Sequence, residues 1–305
     1  MQRKVSFFLL NTKNERKNKM STLIDGLSLG AIYALIALGY TMVYGIAKML
    51  NFAHGDIIMV GAYSVFTTLM MGETLAMKIL AVVVSVVVCT VLGVCVEKCA
   101  YRPLRGASPL AVLITAIGVS YLLQGTSQLI FGAKSHPVDF TIKGSALGIN
   151  YSTLITLIVA TIIMVSLTLF VNCTKTGRAM VAVSEDKAAA QLMGVNVNFI
   201  IMLTFAIGST LAACASIFYL MQIPSVSPTL GSMPGIKAFT AAVIGGIGSI
   251  PGAMIGGVLL GVIEKISLSI PAIAPYTTAI EFSLLIIILL VKPTGLLGKK
   301  RREKV

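Results

Sequence analysis

Ile79–Val96 reads ILAVVVSVVVCTVLGVCV, eighteen consecutive residues without a charge. A run of that length matches the roughly 20 apolar residues a helix needs to cross a hydrocarbon core about 30 Å thick. Its many valines would favour a strand in water. In lipid, however, a segment must satisfy its own backbone, and a lone helix does so where a lone strand cannot. Thr153–Val171 and Phe199–Met221 are equally free of charge. A membrane β-barrel would show segments of about 10 residues with polar/apolar alternation, and the sequence has none.

The composition agrees. Of 305 residues, 56% are hydrophobic and only 11% charged, with a mean hydropathy of +0.93. A soluble domain carries roughly 45–50% apolar and about 25% charged residues, so a soluble enzyme, a disordered chain and a disulfide scaffold are excluded. The formal charge is +13. The basic residues stand at the ends of apolar blocks, where cytoplasmic loops carry them, so they read as a topology signal and not as a nucleic-acid surface. Cys89, Cys95, Cys99, Cys173 and Cys214 form no CxxC pair and have no nearby His; they read as small buried hydrophobes and not as metal or redox groups. Val5–Leu10 is too short for a secretory h-region.

Nine spans follow, at about 22–46, 52–71, 75–97, 107–131, 151–173, 199–222, 235–249, 252–270 and 278–292. The expected fold is an all-α polytopic membrane protein with eight or nine transmembrane helices, some broken or re-entrant. Three basic groups mark one side: Lys98/Arg102/Arg105, Lys175/Arg178/Lys187 and the tail Lys299-Lys300-Arg301-Arg302. Parity then makes residues 299–305 a cytoplasmic tail and puts the N-terminus outside. Residues 1–19 conflict with this, because they hold six Lys/Arg and one Glu. One reading makes Met20 the true start and 1–19 a non-native or disordered extension, with the net charge falling to +8. The other keeps a basic arm inside and makes an early segment re-entrant.

Two regions differ from simple spans. In Gly45–Tyr63, GIAKMLNFAHGDIIMVGAY, polar residues interrupt an apolar run. Gly231–Gly261 holds nine glycines and two prolines in 31 residues. Breaks of this kind in both halves of a transporter point to its substrate route, while the spacing of small residues also suits close helix packing. Both readings stand. A third distinctive segment, 174–198, lies between spans 5 and 6. It contains TGRAMVAVSEDKAAAQLMGVNVN and reads as a helix from an N-cap at Ser184, with Glu185 and Asp186 in its first turn and Gly194 as its C′ residue. A basic-side loop longer than the topology requires suggests a docking element.

This loop resembles the cytoplasmic coupling segment of the permease family that imports branched-chain amino acids through ABC transporters. The resemblance extends to GLSLGAIYALIALGYTMVYGIAKMLNFAHGDIIMVGAY at 26–63, YRPLR at 101–105, GIKAFTAAVIGGIGSIPGAMIGGVLLGVIE at 235–264 and Lys292-Pro293-Thr294-Gly295, and so covers a permease domain of residues 20–298. The short segment before YALIALGY is similar to the LivH-type branch. The resemblance implies a multi-pass subunit of the inner membrane, with a LivM-type second permease, two cytoplasmic ATPases and an extracytoplasmic amino-acid-binding protein as partners, besides membrane lipid. It implies no cofactor and no enzyme activity in this chain, which has no GxxxxGK[ST] phosphate loop. The coupling residues it implies are Gly177, Arg178, Glu185, Asp186, Ala189 and Gly194, with Glu185 and Asp186 meeting the ATPase and Arg178 anchoring the helix start.

For the substrate path the candidates are Asn51, Phe52, His54, Gly55 and Asp56 on one side, and Gly245, Gly246, Gly248 and Pro251 on the other. Ionisable residues inside a membrane are costly and tend to be functional, although His54 and Asp56 could equally cap a helix at the interface. No third ligand accompanies the His-x-Asp pair, so no metal is expected. Glu264 and Glu281 are expected to pair with Lys265 or a partner subunit. A permease for urea, short amides or another small solute is the alternative within the class. An ion-coupled carrier would show carboxylates deep in several helices, and a membrane enzyme needs more than His54 and His136.

Overall fold

The computed structural model describes residues 2–142, 144–146 and 149–298, with side-chain detail from Met20 onward; the basic run 299–302 lies outside the described residues. Eleven α-helices are present among them: α1 (Gln2–Ala47), α2 (His54–Leu69), α3 (Leu75–Val96), α4 (Pro109–Phe131), α5 (Tyr151–Cys173), α6 (Lys175–Glu185), α7 (Lys187–Leu192), α8 (Val197–Gln222), α9 (Ser232–Gly245), α10 (Ile250–Ser269) and α11 (Thr277–Val291). All nine apolar stretches are helical, and seven helical spans are long and apolar enough to cross a membrane, the last being α11 together with the 3-10 turn that precedes it, Ala274–Val291. The exceptions are α2, of 16 residues, and α9, of 14. At 1.5 Å per residue they reach only about 24 and 21 Å, so the stretches 52–71 and 235–249 are shortened helices fed by non-helical chain.

The core forms around α1, whose most apolar 18-residue window is 89% buried, against 17% for α4 and 11% for α11. Small residues allow this central position. Gly26 and Gly30 lie on the backbone of Val262 and Val258 of α10, and Gly257 and Gly261 of α10 lie on Ala34 and Gly30 in return. With no bulky side chains between them the two backbones approach closely, which maximises dispersion contacts where lipid offers no hydrophobic drive. The outer faces of α3, α4, α5 and α11 carry exposed Val83, Leu122, Ile162 and Leu290, as a lipid- or subunit-facing surface should.

The helix ends sort the loops into two groups. At one end the C-terminus of α1 meets the α9–α10 turn through Gly45 and Gly248. Leu296 N–H donates to Ile244 O (2.8 Å) and Leu297 N–H to Gly245 O (2.9 Å), which brings the chain after α11 to the same place. Arg105 there bridges Glu97 and Asn198, joining the chain after α3 to the start of α8. Two of the basic groups and the chain entering the third therefore gather at this basic end. At the far end, His136–Pro137 pairs antiparallel with Ser225–Val226, and Ser145–Ala146 with Ile149–Asn150.

The two shortened helices start in the interior. His54 packs edge-on against Tyr40 (4.7 Å between ring centroids) and fills the space beside Gly39, about 10–12 Å back along α1 from Ala47. From there α2 runs to the far end, while α9 runs to the basic end. Their first turns touch: Gly55 lies against Gly231 and Gly235 so closely that a Cβ at Gly55 would sit 2.5 Å from Gly231 O. Only glycine permits that contact. The chain thus contains two half-helices of opposite direction, each reached through a non-helical stretch (48–53 and 223–231).

Candidate functional site

The stretch 51–56 lies at this junction, and the chain's own groups hold it. Tyr101, the first residue of YRPLR, donates its hydroxyl to Asn51 Oδ1 at 2.9 Å. Phe52 leans on Phe239 of α9 at 5.4 Å between centroids. His54 is 1% exposed, and its Nε2 has no hydrogen-bond partner among the described residues. Asp56 stands in the first turn of α2, where the helix dipole favours a carboxylate. Gln124 of α4 donates to Asp56 Oδ1 at 2.9 Å and reaches Ser232 Oγ at 3.4 Å. One amide thereby ties α4 to the start of both half-helices. Below the junction Tyr40, Tyr44, Leu50, Asn51, Phe239, Ala242 and Ile247 line a narrow groove that is closed to water in this state. Its walls are mostly aromatic and aliphatic, with the Asn51 amide among them, and it would have to widen to take an aliphatic side chain.

Gly245, Gly246, Gly248 and Pro251 form the α9–α10 turn. Gly246 (φ +107°) and Gly248 (φ +94°) adopt backbone that L side chains avoid, and Pro251 opens α10 after the Ser249 N-cap. The residues from Thr294 to Gly298 cover Gly246. Of this turn only Ile247 lines the groove beside Asn51; the glycines themselves serve the turn and its packing.

The segment between α5 and α8 differs from the single helix expected from Ser184. Thr174 caps α6, with its Oγ1 accepting from Gly177 N–H at 2.9 Å. The cap of α7 is Asp186, whose Oδ1 accepts from Ala188 and Ala189 N–H at 2.9 and 3.0 Å. Ser184 instead donates to Val181 O inside α6. The break falls at Asp186 because an extended backbone there (φ −152°, ψ 112°) lets its carboxylate satisfy two orphan N–H groups. Gly194 is the C′ residue: at φ +84° its N–H reaches Gln191 O and Val195 N–H reaches Ala190 O, both at 3.0 Å, the paired bonds of a Schellman ending. Gly177 sits directly on the backbone of Phe170 and Val171 at the end of α5. Arg178, Glu185 and Ala189 are exposed. Leu192 and Met193 are 89% and 84% exposed, an apolar tip on an otherwise polar elbow.

Two features escaped the sequence reading. Lys187 follows Met180 and Val183 and precedes Ala190 at spacings of three, four and three, on the stripe that faces the bundle. Its Nζ donates to Ala47 O, the last carbonyl of α1, at 2.9 Å. Burial, and then the nearby Arg105, push its ammonium below the ordinary lysine value. The second is a correction: Glu264 and Glu281 pair with Lys237, not with Lys265. Lys237 Nζ is 2.8 Å from Glu264 Oε1 and 3.2 Å from Glu281 Oε2, because α9 points position 237 between α10 and α11.

Comparison with known proteins gives a consistent result. A family model described as branched-chain amino acid transport system / permease component matches residues 22–290. The high-affinity branched-chain amino acid transport system permease protein BraD of Pseudomonas aeruginosa is 43% identical over 301 residues, covering 94% of this chain and 98% of that one. LivH of Escherichia coli, which carries the same description, is 42% identical, covering 94% and 97%. The probable branched-chain amino acid transport permease protein LivH of Methanocaldococcus jannaschii is 28% identical, covering 88% and 89%. Among solved structures, an inward-facing putative metal-chelate type ABC transporter shares the fold, with a TM-score of 0.51 over 89% of this chain and 85% of that one at 14% identity. The chain belongs to the family of branched-chain amino acid transport system permease components.

Proposed function

We propose that this chain is the LivH-type permease of an ATP-driven importer, forming half of a path for leucine, isoleucine and valine. Its companions would be a LivM-type permease, two cytoplasmic ATPases and an extracytoplasmic binding protein. The observation that carries the reading is the α6–α7 elbow, which is anchored to the bundle at two points and offers an exposed tip outward. By the positive-inside rule the basic end faces the cytoplasm, with the C-terminus there and the Met20 end of the first span outside.

The mechanism follows from those anchors. Closure of the ATPases moves the elbow. Gly177 passes the motion to the end of α5, and Lys187 passes it to the end of α1. Because α1 is the packed axis, its displacement moves Tyr40 against His54 and Phe239 and so reshapes the groove. The two states differ in how they bind ATP and the loaded binding protein, which is what a ligand-driven switch requires. Asn51, Phe52, His54, Gly55 and Asp56, with the 245–251 turn, set the wall of the path. Glu185 supplies charge to the ATPase contact and Asp186 shapes the elbow.

The test is leucine uptake by vesicles carrying the complete assembly. Uptake is expected to need both ATP and the binding protein, and unlabelled isoleucine and valine should compete. Uptake that proceeds without ATP, or that urea or a short amide blocks while branched-chain amino acids do not, would overturn the reading.

A further inference from the structure

Inside the bundle, away from the groove, five elements place ionisable groups face to face. Lys237 of α9 lies 2.8 Å from Glu264 of α10 and 3.3 and 3.2 Å from the two oxygens of Glu281 of α11. Tyr33 of α1 donates its hydroxyl to Glu264 Oε2 at 2.8 Å, and the Lys237 ammonium stands 6.0 Å from the Tyr33 ring centroid. Tyr219 of α8 is the remaining titratable group facing the cluster. Glu281 is fully buried and Lys237 is 8% exposed. The two glutamates therefore face one ammonium, and Glu281 Oε2 has no aligned donor among the described residues.

Charge counting makes this arrangement incomplete. One lysine against two carboxylates leaves a net negative charge largely shielded from water, where an uncompensated ion is expensive. Two carboxylates gathered on one ammonium resist joint ionisation for the same reason. One proton taken from solvent removes the imbalance. It turns one carboxylate into a donor for the other and leaves a neutral set of one ammonium, one carboxylate and one carboxyl. We propose that the Lys237–Glu264–Glu281 cluster is a proton-binding site, holding one proton shared by the two carboxyls beside a charged lysine. The proton keeps α9 drawn to α10 and α11, and α9 carries Phe239 and the half-helix start against Gly55. Losing it at alkaline pH would leave like charges facing each other across α10 and α11.

Infrared difference spectroscopy of the full chain in lipid vesicles tests this without any transport measurement. The wild-type chain should show a protonated-carboxyl absorption that shifts in heavy water and disappears on alkaline titration. Glu281→Gln leaves a neutral Lys237–Glu264 pair and should lose that absorption; Glu264→Gln, which leaves Lys237 with Glu281, should lose it too. Lys237→Met should roughly double it, because both carboxyls must then be neutral. The amide absorption of the helices reports whether each variant has folded, and the two glutamine variants are independent of one another. An unchanged carboxyl absorption in both glutamine variants would overturn the proposal. So would its absence from the wild type together with stabilisation by sodium, which would make a metal cation the occupant.

Discussion

Replacing Lys187 by methionine keeps the length of the stem but removes the donor that ties the elbow to α1. The bond runs from an ammonium to a carbonyl at 2.9 Å at the C-terminus of a helix, where a cation is also favoured by the dipole. Hydrogen bonds from charged donors contribute about 1.5–3 kcal/mol. Lys187 is only partly buried, so the lower end, ~1.5 kcal/mol, applies. Since about 1.4 kcal/mol corresponds to a factor of ten, leucine uptake by the assembled transporter should fall roughly tenfold in Lys187→Met, while ATP hydrolysis stays within about twofold of wild type. Lys187→Arg, which keeps the charge and donors, should recover part of the loss. The pH dependence has a definite sign. Burial holds the folded value below the ordinary one, so between the two values the unfolded chain binds the extra proton and stability rises with pH. Coupling should weaken over the same window as the ammonium becomes an uncharged, poorer donor. Wild-type uptake in Lys187→Met would refute the tie, as would parallel loss of uptake and hydrolysis with normal membrane insertion.

Other expectations concern stability and docking. Gly231→Ala forces a Cβ into the backbone of Gly55 and should lower stability by about 1–3 kcal/mol or more. Gly118→Ala, where nothing lies within 4 Å, should be neutral or gain up to ~1 kcal/mol; thermal unfolding in detergent compares them. Tyr101→Phe leaves Asn51 Oδ1 buried without its 2.9 Å donor and should cost about 1–3 kcal/mol, lowering the thermal midpoint. Glu185→Gln with Asp186→Asn removes both charges yet keeps an N-cap oxygen at position 186. Membrane insertion should persist while ATPase binding, read by co-purification, weakens; unchanged binding would take these two charges out of the contact.

Much of the fold was legible in the sequence because lipid restricts the choices so strongly. A charge-free run such as Ile79–Val96 has few alternatives to a helix, and Gly45–Tyr63 and Gly231–Gly261 announced their breaks through polar residues, glycine and proline. Gly194 was readable as a helix end, since a C′ glycine after an alanine-rich turn is a local signal. The cap at Asp186 was not, because Ser184, Glu185 and Asp186 offer competing capping oxygens and only the packing of Met180 and Val183 fixes the phase. Lys237 meeting Glu281 across 44 residues, and Lys187 meeting Ala47 across 140, depend on which helices are neighbours. Spacing within one helix carries no such information. For the same reason the glycines of 245–248 looked alike in sequence, whereas in three dimensions they are a turn closed by the chain after α11.

The central claim, that the α6–α7 elbow is the cytoplasmic handle of the permease, is tested most directly at Leu192. In a variant whose five native cysteines are replaced by alanine or serine, Leu192→Cys should react with a membrane-impermeant maleimide only from the cytoplasmic side, and bound ATPase should protect it. Labelling from outside intact cells, or equal labelling with and without the ATPase, would contradict the account.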